Sequence, residues 1–308
     1  MDPNKPKVAT LVAIPKPFTG ETAVLQRAAC KSWASIPGLE VILAGDEEGI
    51  AETCRAFMFQ HIRDVMRTEQ GTPRLNDVFT KAREKATTPL LLYVNADIIL
   101  GPEIIRAAQH MPFPDFLLAG RRYDVEPWEE EADADYNAWH HYAINQGILL
   151  PACSSDYFLL PVASRIFVDM PPLVVGRSGW DNWMMYRARE LSIPLIDGTE
   201  GVISIHRKHG YNHIQRNMED KPYSSWDGVE SRLQIAILGE RLLDLGFATH
   251  RMDGQQQVHP VKKGYSRLKQ KAIIRRIRAV NGPERFFWQL CKKVYYLFSN
   301  GQEKGASS

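Results

Sequence analysis

Three acidic residues and a histidine sit where chemistry is easiest to place. The run LLLYVNADIIL (90–100) carries an apolar strand into Asn95-Ala96-Asp97. An Asp at a strand tip is a common turn or cap residue. It is also a hard oxygen ligand for Mg²⁺ or Mn²⁺, ions that keep waters and bridge to substrate phosphates. Asp46 ends a second apolar run, LEVILAGD (39–46). In GRSGWDNWMMY (176–186), Trp180 and Trp183 bracket Asp181-Asn182 near a helix start. Capping is one role for Asp181 there. Apolar walls also raise a carboxylate's pKa and make it a better general base at neutral pH, and aromatic faces stack on sugar rings. AGRRYD (119–124) sets Arg121 and Arg122 at a strand end, as surface charges or as a phosphate clamp. ISIHRKHGYNH (203–213) offers His206, His209 and His213, and His206 could complete the coordination of an ion held by Asp97.

The missing motifs narrow the chemistry. Neither GxxxxGK[ST] nor GxGxxG occurs, so a phosphate-bearing ligand must rely on a metal and arginines. There is no HExxH and no defensible Ser/His/Asp order, which leaves nucleophilic hydrolysis without support.

These residues must be positioned by the elements around them. VATLVAIP (8–15) reads as a buried strand, and residues 20–38 as a helix with Val24, Leu25, Ala28 and Ala29 on its apolar stripe and Pro37-Gly38 as its stop. A strand over 39–46, a helix over roughly 49–66, a helix in TPRLNDVFTKAREKATTP, the strand LLLYVNAD, the helix GPEIIRAAQHM and the strand DFLLAGRRYD follow. Strands alternating with helices predict an α/β fold, a mostly parallel central sheet flanked by helices. Beyond Asp124 the acidic, aromatic stretch EPWEEEADADYNAWHHYAINQG reads as a surface excursion. SSDYFLLPV reads as a strand, SRIFVDMPP as a short helix, GWDNWMMYRAREL as a helix, PLIDGT and VISIHR as short strands. WDGVESRLQIAILGERLLDLG reads as an amphipathic helix with Val229, Leu233, Ile237 and either Glu240 or Arg241 at helical spacing.

Composition sets the remaining bounds. The 308 residues are 44% hydrophobic and 24% charged, as in a soluble globular protein. No apolar run approaches the ~20 residues of a membrane span, and the first residues lack a signal-peptide pattern. Four scattered cysteines without CxxC spacing suggest neither a zinc site nor a disulfide framework, and hence a reducing, cytoplasmic setting. Twelve Lys/Arg against Glu284 and Glu303 give residues 262–308 about +10 and leave about −8 to residues 1–261, which separates a body from a basic helical tail. That tail also carries Phe286, Phe287, Trp288, Tyr295, Tyr296 and Phe298. Basic residues with aromatic anchors suit an anionic membrane surface better than nucleic acid, and so a peripheral position on the inner membrane face. The other reading packs the tail on the body with its charges solvated.

Taken together, PLLLYVNADIIL, LLAGRRYDV, SSDYFLLP, PPLVVGRSGWDNWMMYRAR and IHRKHGYNH resemble glycosyltransferases of the GT-A (nucleotide-diphospho-sugar transferase) fold. More narrowly, NADI and GWDNW are similar to bacterial glycosyltransferase family 2-type proteins, over about residues 8–245. The resemblance implies a nucleotide-sugar donor, a divalent metal (Mn²⁺ or Mg²⁺) bridging its diphosphate, and a glycan or lipid-linked acceptor in bacterial surface glycan synthesis. Carried over by motif, Asp181 is the general base, Asp97 the metal ligand and His206 a second ligand. Pro15, Asp46, Asn76, Asn95, Arg121 and Arg122 serve the donor. Asp156, Arg177, Trp180, Asn182 and Trp183 line the sugar or acceptor side. The sequence departs from the family's DxD at Asn95, where an amide stands for the first acid. One base opposite the leaving group implies an inverting enzyme. A catalytically inactive sugar-binding or scaffold module is the alternative that Asn95 permits. A sugar-phosphate nucleotidyltransferase fits less well, because IPKPFTGET (14–22) lacks a glycine-rich, arginine-containing loop.

Overall fold

The computed structural model describes residues 6–129, 131, 134–208, 229–261 and 271. The apolar runs become strands because each buries both faces. β1 (Ala9–Ala13) lies between β2 (Leu39–Ala44) and β4 (Leu90–Val94), parallel to both, and β3 (Gln60–Ile62) adds a parallel edge outside β2. On the other side β8 (Ser155–Pro161) runs antiparallel between β4 and β6 (Leu117–Val125). Then β9 (Leu195–Asp197) and β11 (His250–Met252) continue in parallel, with β12 (Val258–Pro260) antiparallel at the edge. The expected mostly parallel sheet is therefore present, with one reversed strand at its centre.

Strand alternation divides the core in two. Val12, Ile42, Leu91, Tyr93 and Phe158 face α3 (Leu75–Lys85) and α6 (Trp180–Glu190). Leu11, Leu43, Leu92, Val94 and Leu159 face α1 (Gly20–Ala34), α2 (Ile50–Phe57) and α4 (Glu103–Gln109). Alternate side chains of a strand point to opposite faces, so near-continuous apolar strands require helices on both.

A second small sheet sits at the strand tips. At a register shift between Gly120 and Arg121, β6 leaves β8. Its end then pairs with β10 (Ser204–Arg207) in parallel and with β7 (Ile148–Leu149) in antiparallel, while β10 pairs antiparallel with β5 (Ile98–Ile99). This register places His206 opposite both Asp124 and Ile98.

Several expected elements differ. The helix over 49–66 stops at Phe57, because Met58 takes a left-handed conformation (φ 56°) that closes the last turn and releases the chain into β3. The excursion after Asp124 contains a helix, α5 (Tyr136–Gln146), capped by the Asp135 carboxylate, which accepts from the Ala138 N–H at 2.9 Å. SRIFVDMPP yields only a 3-10 turn, Arg165–Phe167. The amphipathic helix is α7 (Val229–Leu238), ended by Gly239 at φ 59°. Its predicted core stripe faces outward: Val229, Leu233 and Ile237 are 51, 58 and 39% exposed, and Glu230, Ser231 and Gln234 are buried instead. Among the described residues no helix is long and apolar enough to cross a membrane. His209, His213 and, apart from Lys271, the basic tail lie outside the described residues.

Candidate active site

The turn between β4 and β5 holds Asp97. The Asn95 N–H donates to the Asp156 carbonyl (3.0 Å) and the Ile98 N–H to the Asn95 carbonyl (3.1 Å), which pins the turn against β8. The Asn95 amide Nδ2 donates to the Asp156 carboxylate, and the Tyr93 hydroxyl donates to Asn95 Oδ1 at 3.1 Å. Asp156 also meets Arg122 Nη1 at 3.0 Å, while Arg122 Nε meets Asp124 at 2.8 Å. Asp124 in turn accepts from His206 Nδ1 at 3.0 Å, and His206 Nε2 faces Asp97 Oδ2 at 3.7 Å. Three carboxylates and two cations thus form one continuous chain across four strand ends.

Electrostatics follow from that chain. Burial pushes the Asp97 carboxyl up, yet its His206 partner and the charges of His206, Arg122 and Lys16 hold it well below the usual carboxylate range. Asp124 shifts down for similar reasons, with burial again opposing His206 and Arg122. Burial would lower His206, but Asp124 and Asp97 raise it to about 8. Both carboxylates are therefore ionised at neutral pH.

Asp181 lies in the first turn of α6, after Gly179 at φ 96°. Burial and the nearby charge of Asp156 raise its carboxyl to about 7, against backbone N–H groups that pull the other way. Tyr93 locates the acids relative to one another. Burial raises its phenol, and the charges of Asp156, Asp97 and Asp181 all push it further. Its ring meets Trp180 edge-on at 4.9 Å. Asp97 and Asp156 stand at the C-terminal ends of the parallel strands, where open α/β sheets place ligands.

Gly179 is required by that geometry. A Cβ there would sit 2.9 Å from Leu238 Cδ1, in a backbone region that L side chains rarely adopt. Gly179→Ala should cost at least about 1–2 kcal/mol from the backbone alone. Denaturant unfolding measures the loss, and each kcal/mol lowers Tm by roughly 2–4 °C in a domain of this size.

The predicted residues separate into groups. Hydrogen bonds and ion pairs bring together Asn95, Asp97, Arg122, Asp156 and His206, and Asp181 feels the charge of Asp156 without contacting the group. Arg121 does not join them: alternation along β6 sets it with Tyr123, whose phenol feels its charge, on the face opposite Arg122 and Asp124. Arg122 is committed to two carboxylates. The tryptophans do not wall an open sugar site, since Trp183 is in the core and Trp180, 5% exposed, packs on Tyr93 and Phe158. Asn182 is buried and donates to the Leu243 carbonyl at 2.7 Å. Arg177 is held in a buried ion pair with Glu230 at 2.7 Å.

The donor-side residues form a second group. Pro15 is buried after β1, and the next residue, Lys16, is fixed by paired backbone bonds to the Gln26 amide (2.7 and 2.9 Å). Asn76 starts α3 with its Oδ1 buried and without a partner. Asp46 is exposed after β2, and Arg67 bridges it to Glu47, with 2.9 Å to Glu47. Sequence reasoning missed Arg67, Tyr93 and Asp124. Arg67 had no local signal. The spacing of Arg122 and Asp124 did carry one, because i and i+2 share a strand face.

No family model matches the chain, and no curated protein does. Among solved structures, S. aureus TarS 1-349 in complex with UDP is similar at 16% identity over 38% of this chain, with a TM-score of 0.29. The chain spans only 36% of that TarS chain. A mannosyltransferase from Pyrobaculum calidifontis, in complex with GDP-Man and Mn²⁺, is 10% identical over 69% of this chain and 61% of its own, with a TM-score of 0.42. Glucosyl-3-phosphoglycerate synthase from Mycobacterium tuberculosis, in complex with Mn²⁺, UDP and its product, is 10% identical over 83% of this chain and 87% of its own, with a TM-score of 0.44. At such identities and TM-scores the function rests on the chain's own residues.

Those residues fit a divalent cation held with help from a ligand. Asp97 Oδ2 and His206 Nε2 face each other, and Asp124 fixes the other ring nitrogen, as carboxylates orient metal-binding histidines. No cluster of three or more potential His, Cys, Asp or Glu ligands occurs among the described residues. Two protein ligands leave room for phosphate oxygens and water, which suits Mg²⁺ or Mn²⁺.

Proposed function

We propose that the chain is a GT-A-type glycosyltransferase that moves a sugar from a nucleotide-diphosphate donor to an acceptor hydroxyl, with inversion and metal assistance. One arrangement supports this reading: ion pairs and hydrogen bonds link Asp97, His206, Asp124, Arg122, Asp156 and Asn95 at the strand ends, and Asp181, in the first turn of α6, feels the charge of Asp156. Asp97 is kept ionised and Asp181 is lifted toward neutrality. Two acids pushed apart by their surroundings are a mark of divided roles.

In this reading Asp46 and Arg67 meet the nucleoside. Asp97 and His206, the latter after losing its Nε2 proton, would hold a divalent cation, and such an ion would supply positive charge against the growing charge of the leaving diphosphate. Arg122 organises Asp124 and Asp156, and Asp156 keeps the Asp181 carboxyl raised. Asp181 accepts the acceptor's hydroxyl proton as the new bond forms. Holding both substrates in line contributes on the order of 7–11 kcal/mol at best. Asn95 does not add a negative charge, but it donates to Asp156 and thereby ties the Asp97 turn to β8. A glycan or lipid-linked acceptor in surface glycan synthesis completes the proposal, as the motif resemblance implies.

A single base opposite the leaving group predicts one displacement. The anomeric proton of the product, followed by NMR, should show the configuration opposite to the donor's. Retention would remove Asp181 from the role of base.

A further inference from the structure

Helix α7 turns its polar residues inward, and they reach the two segments that set Asp181 in place. Glu230, 3% exposed, accepts hydrogen bonds from the hydroxyls of Thr68 and Thr72 (2.8 Å for Thr72) and pairs with Arg177 through Nε at 3.0 Å and Nη2 at 2.7 Å. Gln234, 2% exposed, accepts from the Val174 N–H at 2.7 Å and donates to the Arg177 and Ser178 carbonyls, each at 3.0 Å. Residues 174–178 form the strap that runs into Gly179 and α6. The same helix touches that strap sterically, since a Cβ on Gly179 would meet Leu238, Ile235 and the following Leu242. Thr68 and Thr72 belong to the turn at 66–74, whose Arg67 holds Asp46 and Glu47. Turn and strap also share backbone bonds, Leu75 N–H to the Leu173 carbonyl at 2.7 Å and Val175 N–H to the Pro73 carbonyl at 3.3 Å.

A helix anchored for burial alone would turn Val229, Leu233 and Ile237 inward. Buried polar groups give up that stabilisation and fix geometry in its place, because their partners must be met at defined distances. We infer that α7, through Glu230 and Gln234, is a positioning clamp that locks the strap carrying Asp181 to the turn carrying Arg67, so that the base end and the nucleotide end of the cleft keep one fixed spacing. This rests on the proposed transferase function.

The test uses the full chain with Gln234→Leu, which deletes three hydrogen bonds to the strap at similar side-chain size. Two readouts are taken: transfer kinetics, and the titration of the Asp181 carboxyl by NMR with ¹³C-labelled aspartate, assigned with Asp181→Asn. The titratable groups that face Asp181 are Asp156 from β8 and Tyr93 from β4, and neither is altered. The clamp predicts a 10- to 100-fold lower kcat with donor KM within about twofold of wild type, in line with the cost of small misplacements. It also predicts that the carboxyl midpoint, about 7 in the wild type, drops by at least one unit (about tenfold in its proton affinity) as water enters beside the loosened strap. A lower melting temperature with kcat and midpoint unchanged would overturn the clamp. If Gln234→Leu does not fold, Thr72→Val removes one donor to Glu230 and should move both readouts the same way by a smaller amount; no movement there overturns the clamp. Absence of transfer by the wild type from any nucleotide sugar would defeat the functional reading, while the carboxyl midpoint still decides the clamp.

Discussion

Asp181→Asn should lower kcat by about 10²- to 10⁴-fold, the usual contribution of a placed general base, without weakening donor binding. The amide keeps the size of the side chain but cannot take a proton. The pH dependence identifies the group. Asp181 works as its anion, and its carboxyl is raised to about 7 by burial and Asp156. Wild-type kcat/KM should therefore fall as pH drops below about 7, and the residual rate of the variant should be flat there. Stability moves the other way. A carboxyl raised above its ordinary 3.8 contributes stability that is complete below that value and is lost as pH rises through about 7, because the folded state binds the proton more tightly. Asp181→Asn removes that loss, so at about pH 8 the inactive variant should unfold at higher denaturant than the wild type. A variant that loses activity and stability together at that pH would point to a structural role.

Asp97→Asn should have the second large effect, on binding. Asp97 is ionised against its burial by His206, Arg122 and Lys16, so an anionic oxygen faces the His206 ring. Altering outer groups around a metal commonly costs 10- to 100-fold in affinity, and losing a ligand should cost at least as much. Calorimetry with a nucleoside diphosphate and Mn²⁺ should show Kd raised at least tenfold, to the value found without metal. Asp181→Asn should bind as the wild type does. Equal losses in both variants would mean that the two acids do not divide the work.

Much of the frame was legible because strands buried on both faces leave near-continuous apolar runs, as in 9–13, 39–44 and 90–94. The places of Asp97, Asp181 and His206 at the ends of elements were legible, because each follows or precedes a clear apolar run. The Asp124 link was partly legible, through its spacing from Arg122. Long-range partners were not. Nothing local says that Glu230 will meet Arg177, or that Asn95 will meet Asp156 across β4 and β8. The α7 stripe misled for the same reason. Periodicity reports which residues share a face, and tertiary partners for Glu230 and Gln234 decided which face turned inward. The partners of the arginines were not legible either, because charge type alone does not distinguish a phosphate clamp from a buried ion pair. Arg177 is held by Glu230, and Arg121 points away from Arg122 by strand alternation.

Anomalous diffraction from crystals soaked with Mn²⁺ and a nucleoside diphosphate tests the shared cleft most directly. The predicted map has one Mn²⁺ peak within about 2–2.6 Å of an Asp97 carboxylate oxygen, with the His206 ring turned toward it and the diphosphate on the side that Asp181 faces. A peak bound elsewhere, or a diphosphate whose sugar end points away from Asp181, would contradict it.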